Sequence, residues 1–182
     1  MDALTLTQPY ATLVMLGVKE IETRGWSTTL RGRIAIHAGK GLGPVGGERG
    51  LVELLQDQQI NLALSWRLGT SDPAELVELL PRGVVLGDVE LYDSVALTMQ
   101  GRRGCYYQRH LGVWARVSER ETAFGNFAAG RFGFRLRYPQ QLETPIRARG
   151  FQKFWSLPDH IAQQLETAPR IESRIRPRAS MK

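Results

Sequence analysis

The fold is decided by residues 4–40, which read LTLTQPYATLVMLGVKEIETRGWSTTLRGRIAIHAGK. The segment begins with an alternating stretch in which Leu4 and Leu6 share one face, a pattern that predicts a strand with one buried side. Pro9 suits the first turn of a helix, and the apolar residues after it recur at helical spacing as far as Gly17, a natural C-cap. RIAIHA then alternates again, so the segment predicts a strand, a short helix and a strand.

The rest of the chain continues this alternation of strands and short helices. A glycine-rich loop leads into a helix over 49–59, and Pro73 opens a second one with an Asp or Ser cap before it. The remaining predicted elements are strands over 84–97, 131–138 and 144–150 and a helix over 157–166. Strands with one polar face favour a mixed or antiparallel sheet closed into a small barrel with flanking helices, a mixed α+β fold. They argue against a doubly wound parallel sheet.

Length and charge set limits on organisation and partners. A chain of 182 residues suits one well-buried domain. Its net charge is +6, but residues 170–182 hold five basic side chains against one acidic, which leaves +2 on the remainder. Basic arms of this kind can bind phosphate without specificity, but they are also common as solvated chain ends. Overall charge therefore does not identify a partner.

Several classes of protein are not indicated. The sequence has no secretory leader and no apolar run long enough to cross a bilayer, so we expect a cytoplasmic protein without a membrane partner. One cysteine and three scattered histidines give no metal-ligand spacing, and we expect neither metal nor cofactor. GLGPVG, residues 41–46, matches a dinucleotide-binding pattern, but Pro44 removes an amide donor and the preceding strand carries Arg33 and His37. We interpret it as a connector.

Two stretches carry residues suited to nucleic acid. RRGCYYQRHLGVWAR begins with Arg102 and Arg103 and contains Tyr107, so it combines cations for phosphate with rings for base stacking. Buried aromatics with a rim of arginines fit that stretch equally well. In GVKEIETRGW, an extended chain puts Glu22 and Arg24 on one face, which on spacing alone favours an ordinary surface ion pair.

A resemblance changes the interpretation of the second stretch. Residues 4–40 resemble the N-terminal half of ASCH domains, a branch of the PUA-like superfamily. The family's pattern is a strand, QP-aromatic-A, a helix and then G-x-K-x-x-E-x-R, which here appear as QPYA and as GVKEIETR. LPRGVVLGDVELYD and RFGFRLRYPQQLETPIRARGFQKFWSLP are similar to the family's middle strand and closing segment. We therefore predict an ASCH domain over 1–158, insert-like segments at 41–79 and 97–130, and a C-terminal helix with a basic, flexible tail over 159–182.

The resemblance implies a PUA-like barrel with a cleft beside the first helix, lined by the G-x-K-x-x-E-x-R residues. Related domains are thought to bind RNA or modified nucleosides, so we predict nucleic-acid binding, with RNA or another nucleotide as the partner. Cations would contact phosphate or base edges and rings would stack on bases. The predicted binding residues are Lys19, Glu22, Arg24, Tyr10, Trp26, Arg102, Arg103 and Tyr107.

The resemblance also leaves an enzymatic alternative open. Some small members resemble metal-independent amidohydrolases acting on acylated cytidine, or ribonucleases. The catalytic residues would then be Lys19, Glu22 and Glu90. Lys19 would polarise a carbonyl group, and one of the two carboxylates would accept the proton of the attacking water. The small hydrolases have a threonine where this sequence has Glu22, a departure that argues against the same amide-cleaving chemistry.

Overall fold

A computed structural model describes residues 1–99, 104–108 and 112–171. The strands are β1 (Asp2–Leu6), β2 (Ile21–Arg24), β3 (Gly32–Ala38), β4 (Val84–Met99), β5 (Cys105–Gln108), β6 (Trp114–Arg116), β7 (Phe132–Arg147) and β8 (Phe154–Ser156). The α-helices are α1 (Tyr10–Met15), α2 (Gly47–Leu55), α3 (Gln58–Leu68), α4 (Pro73–Leu79), α5 (Glu119–Ala123) and α6 (Asp159–Thr167).

The strands form one curled sheet in the order β2-β7-β4-β3-β1-β8, with β5 added to β4 and β6 to β5. Among the described residues, every pairing is antiparallel except that of β1 with β3, whose connection contains α1 and β2. The two longest strands, β4 and β7, pair along most of their length with three register shifts, and such irregularities bend a sheet. The result is a mostly antiparallel half-barrel with helices around it, which confirms the predicted mixed α+β, PUA-like fold.

Helix α1 is buried on all sides. Val14 and Met15 pack into the main core between the sheet's inner faces, while Leu13 and Leu16 face a second core built by α2, α3 and α4. The sheet leaves room for α1 at Gly87, whose φ is +152° and where a side chain would meet the Met15 methyl group and the backbone of β7. Helices α2, α3 and α4 therefore cover α1, and α1 in turn packs on the sheet.

The last helix completes a third core on the other face of the sheet. Ile161 and Leu165 of α6 pack on Val85 and Leu142, which belong to β4 and β7. Helix α6 thus packs as an integral part of the fold.

The structure differs from the predicted elements in several places. The helix expected over 49–59 ends at Leu55, and a separate helix, α3, begins at Gln58, where Asp57 caps it through bonds from the amides of Gln59 and Ile60. The strands expected over 131–138 and 144–150 are one continuous strand, β7. Helix α5 was not predicted, and GLGPVG contains a short 3-10 helix, Gly43–Val45.

Candidate nucleic-acid site

The ammonium group of Lys19 is held inside the protein. Gly17, with φ +68°, ends α1 and turns the chain so that the side chain of Lys19 points inward, where the residue is 1% exposed. Its Nζ donates to the carbonyl oxygens of Ile21 at 2.6 Å and Phe124 at 2.7 Å. The Oε2 atom of Glu22 lies 3.4 Å from the same nitrogen. An ammonium has three donors, and three acceptors surround this one.

Glu22 connects Lys19 to the third motif residue. Its Oε1 atom lies 3.1 Å from Nε of Arg24, and Nη2 of Arg24 donates to the carbonyl oxygen of Thr5 at 2.8 Å. The Glu22 side chain is 12% exposed and that of Arg24 is 23% exposed. The carboxylate therefore offsets part of the positive charge of the lysine and arginine, and the guanidinium holds β2 against β1.

A second carboxylate lies close to Lys19. Glu121 of α5 is buried and accepts bonds from the backbone amides of Glu20 at 3.1 Å and Ile21 at 2.9 Å. Burial raises the pKa of Glu121, although the nearby charge of Lys19 acts in the opposite direction. The ring of Tyr10 lies 5.5 Å from Nζ of Lys19, and burial raises the pKa of that phenol.

A cavity of about 390 Å³ opens beside the end of α1, and we call it the α1 cavity. Apolar walls come from α1, β4 and β7, chiefly Val14, Val89 and Leu136. The polar and aromatic residues that line it are Lys19, Glu20, Tyr92, Arg137, Tyr138 and Gln140.

Tyrosines and arginines alternate next to this cavity, in a group we call the tyrosine–arginine stack. The guanidiniums of Arg135 and Arg137 lie 4.6 and 4.7 Å from the centre of the Tyr92 ring. Arg135 also lies 4.9 Å from the Tyr107 ring, and Arg137 lies 5.0 Å from the Tyr138 ring. Cations at these distances are attracted to the ring faces.

Tyr138 is the outer member of the stack. The residue is 61% exposed. Its backbone has φ +52°, which a non-glycine residue rarely adopts. Such backbone strain often occurs at functional sites, where the surrounding structure must maintain it.

The predicted site residues are distributed over several environments. Lys19 contributes to the wall of the α1 cavity, whereas Glu22 and Arg24 are not among the residues that form it. The ring of Trp26 packs edge-on against Phe134 at 5.0 Å and Phe154 at 5.4 Å, next to the main core. Predicted residues Arg102 and Arg103 lie outside the described part of the chain.

Two further predicted residues have partners that the sequence did not indicate. Tyr107 is buried against Val95, Leu97 and Phe127 and is covered by Arg135, which corresponds to the buried-aromatic alternative for its stretch. Glu90 receives bonds from Nε and Nη2 of Arg137 at 2.9 and 2.7 Å, and these bonds lower the pKa of its carboxyl group. Glu90 and Glu22 therefore belong to separate ion pairs.

Sequence reasoning missed Glu121, Tyr92, Arg137 and Tyr138. A signal for Glu121 was present, since Ser118 and Glu121 have the S-x-x-E spacing of a capping box and Ser118 does cap α5. The carboxylate nevertheless bonds to β2 and not to its own helix, which local spacing does not reveal.

Across the residues that the structure describes, no group of three or more His, Cys, Asp or Glu side chains is arranged to hold a metal ion. No helix in that same portion is both long and apolar enough to span a bilayer.

A curled, mostly antiparallel sheet with a buried helix across it defines a PUA-like domain. Residues 4–110 match the ASCH domain family, and the chain therefore belongs to that family. It is 27% identical over 162 residues to Activating signal cointegrator 1 of Mus musculus, covering 88% of this chain and 23% of that protein. Identity to Activating signal cointegrator 1 of Homo sapiens is 26% over 161 residues, with the same coverage. The chain thus spans about a quarter of the length of these relatives.

Proposed function

We propose that this protein binds nucleic acid, with RNA or a modified nucleotide as the ligand, through the α1 cavity. The observation that carries the proposal is the composition of the cavity wall, where Arg137 occurs together with the rings of Tyr92 and Tyr138. Flat rings provide stacking surfaces for a base, and a guanidinium can bind phosphate or a base edge. Membership of the ASCH family and the resemblance described above support RNA as the ligand.

The size of the cavity limits what can enter. A volume of about 390 Å³ lies at the lower end of the ~300–1,000 Å³ typical of small-molecule pockets. It suits a single base or nucleoside, and the largely apolar walls suit a base taken out of its stack. We therefore propose that one unstacked base enters the α1 cavity while its neighbours remain outside, a mode common in the recognition of single-stranded RNA.

Arg137 is the cation best suited to touch the ligand. Its side chain is 45% exposed, and Glu90 accepts from two of its N–H groups. A guanidinium has five such donors, so others remain for a phosphate or a base edge. Burial and the three surrounding acceptors assign Lys19 a different task, since its ammonium ties β2 to the segment after α5. Glu22 and Arg24 extend that network to β1 and keep the cavity wall in shape.

A hydrolase acting on acylated cytidine, or a ribonuclease, is the second candidate. It is favoured by one observation, the buried Glu121 carboxyl with a raised pKa close to Lys19. Glu90 fits this chemistry poorly, because Arg137 lowers its pKa and an ionised carboxylate has no proton to donate. Incubation with N4-acetylcytidine and with RNA tests this candidate, and turnover by the wild type that Glu121→Gln abolishes would establish it.

The binding proposal is tested by titrating cytidine monophosphate and a labelled oligouridylate against the wild type, Tyr138→Ala and Arg137→Gln. Base stacking is worth about 1–3 kcal/mol, so we expect Tyr138→Ala to bind the oligonucleotide at least about fivefold more weakly, and we expect Arg137→Gln to weaken binding through the loss of a cation. Trp66→Ala is the matched control, since Trp66 is exposed on α3 and does not line the cavity. Equal affinity in all four proteins would remove the α1 cavity from the proposal.

A further inference from the structure

We propose that one end of the sheet is a binding surface for the phosphate backbone of single-stranded nucleic acid. This surface, which we call the basic edge, consists of Lys40, Arg82, Arg147, Arg149 and Lys153 together with the ring of Phe151. The inference deepens the proposed function and rests on it, since the strand that meets the basic edge would be the one whose base enters the α1 cavity.

The topology of the sheet brings these residues together. Strands β1 and β3 run parallel and both finish here, β4 begins here, and β7 ends where the loop to β8 starts. Val84 pairs with Ala38 on one side and Arg147 on the other, so three neighbouring strand ends meet at the first residue of β4. Gly83 lies against the side chain of Lys40, and its carbonyl oxygen accepts from the amide of Ala148 at 3.2 Å.

The charged side chains in the segments that form the basic edge are all positive. The connecting segments 39–46, 81–83 and 148–153 contain no Asp or Glu. Within the described ranges, none of the five cations of the basic edge takes part in an ion pair. Arginines on the sheet itself behave differently, because Arg33, Arg135 and Arg137 each bind a carboxylate. Cations without internal partners are those free to neutralise phosphates.

The loop over 148–153, which carries Arg149 and Lys153, is fixed to the sheet. The ring of His37 lies 3.1 Å, through Nε2, from the carbonyl oxygen of Ala148. Gly150 packs so closely on His37 and Thr5 that an added Cβ would collide with both. Lys153 closes the loop with φ +58°. A loop held at both ends presents its cations with little loss of conformational entropy on binding.

An aromatic ring is exposed among these cations. Phe151 is 52% exposed, with Trp155 edge-on at 5.5 Å and the guanidinium of Arg149 at 5.4 Å. A cationic surface with an accessible aromatic face is the combination that single-stranded nucleic acid uses, through phosphate contacts and base stacking. Duplex DNA, with its bases stacked inside, would not use the ring.

The basic edge and the α1 cavity are near enough to share one strand. Gln8, just before α1, donates to the carbonyl oxygen of Pro81, the neighbour of Arg82. The cavity lies at the opposite end of the same helix, beside Gly17. Along β4, Val89 and Tyr92 of the cavity wall lie five and eight residues from Val84 at the basic edge, which is at most about 16 and 26 Å at about 3.3 Å per residue.

The test measures binding of the full chain to a labelled oligouridylate over a range of salt concentrations. The variants are Arg82→Ala/Arg149→Ala, Phe151→Ala and, as a control that removes one exposed cation elsewhere, Arg49→Ala, whose side chain is 92% exposed on α2. We expect the double variant to bind at least about tenfold more weakly and its salt slope to fall by about 1.4, since each phosphate contact to a single strand contributes about 0.7. Phe151→Ala should weaken binding and leave the slope unchanged.

The outcomes separate this inference from the proposed function. If the double variant and Phe151→Ala both behave like Arg49→Ala while Tyr138→Ala weakens binding, the basic edge is overturned and the α1 cavity stands. If the double variant and Phe151→Ala weaken binding while Tyr138→Ala binds like the wild type, the basic edge stands without the cavity. Phosphatidylserine vesicles form a further arm, because exposed Phe and Lys side chains also suit an anionic membrane. Binding to vesicles but not to oligouridylate would overturn the inference, and so would binding to neither.

Discussion

The ammonium of Lys19 donates to the carbonyl oxygen of Phe124 at 2.7 Å, across 105 positions of sequence. This bond fastens the turn after α1 to the segment that follows α5. The site beside α1 is therefore assembled from distant parts of the chain, and its shape depends on a charge that solvent does not reach.

We expect Lys19→Met to lower the free energy of unfolding by about 3 kcal/mol, because it leaves buried carbonyl oxygens without a donor and Glu22 without one of its two cations. Urea denaturation measures the change. Lys40→Met, at an exposed position, is the control and should differ little from the wild type. Equal stability of the two variants would contradict a structural role for the Lys19 ammonium.

Gly87→Ala tests the contact between α1 and the sheet. An added methyl group would meet the Met15 methyl group and the β7 backbone, in a backbone conformation that disfavours side chains. Overpacking of this kind costs about 2 kcal/mol, to be read from the urea midpoint. Gly25→Ala should have a much smaller effect, since nothing lies within 4 Å of the added atom. A Gly87 variant as stable as that control would show that α1 can shift freely.

Tyr138→Gly should separate stability from binding. Glycine adopts φ +52° without the cost of about 1 kcal/mol that a side chain incurs there, so the variant should be at least as stable as the wild type. Its affinity for oligouridylate should nevertheless fall, because the exposed ring is gone. Thermal unfolding and the binding titration are measured on the same preparation. A loss of stability would mean that the ring has a packing role.

Stability should decrease in mild acid because of His37. Burial lowers the pKa of this histidine, and its Nδ1 atom has no partner among the described residues. The neutral form therefore stabilises the fold fully above the ordinary pKa of about 6.5, and this contribution is lost as the pH falls through the lowered folded value. Urea unfolding at pH values between about 7.5 and 5 should show this slope.

Two variants identify the group responsible for that slope. His37→Gln should remove the part of the pH dependence just below the ordinary histidine pKa, whatever its effect on absolute stability. His160→Gln, at an exposed position of α6, should keep it. An unchanged slope in His37→Gln would assign the acid sensitivity to another residue.

The sequence predicted those elements whose hydrophobic periodicity and capping residues lie within the element itself. The alternation around Leu4 and the glycine at position 17 predicted β1 and α1 close to their observed bounds. Helix α3 was missed because Leu62 and Trp66 are exposed on it, so its apolar residues do not form one stripe. Strand β7 was divided in two because Pro139 and Pro145 interrupt its pattern, although the curled strand accommodates both.

The site could be predicted only in part, because local spacing does not reveal contacts between distant parts of the chain. The spacing of Glu22 and Arg24 indicated that these two charges share a face, and they do form an ion pair, whereas spacing did not indicate which carboxylate Lys19 would meet. It could not indicate that carbonyl oxygens from both β2 and a distant loop would enclose the ammonium. The tyrosine–arginine stack depends on the pairing of β4 with β7, which brings Tyr92 beside Arg135 and Arg137 from opposite parts of the chain.

Asp88 on β4 is almost fully buried, and its carboxylate is shared by Arg33 of β3 and by Arg170, just beyond α6. Cleaving the chain near residue 158 would remove Arg170 and would uncover the apolar patch that Ile161 and Leu165 occupy. The shortest autonomous folding unit should therefore extend past Arg170. Limited proteolysis should yield a resistant fragment that retains this arginine.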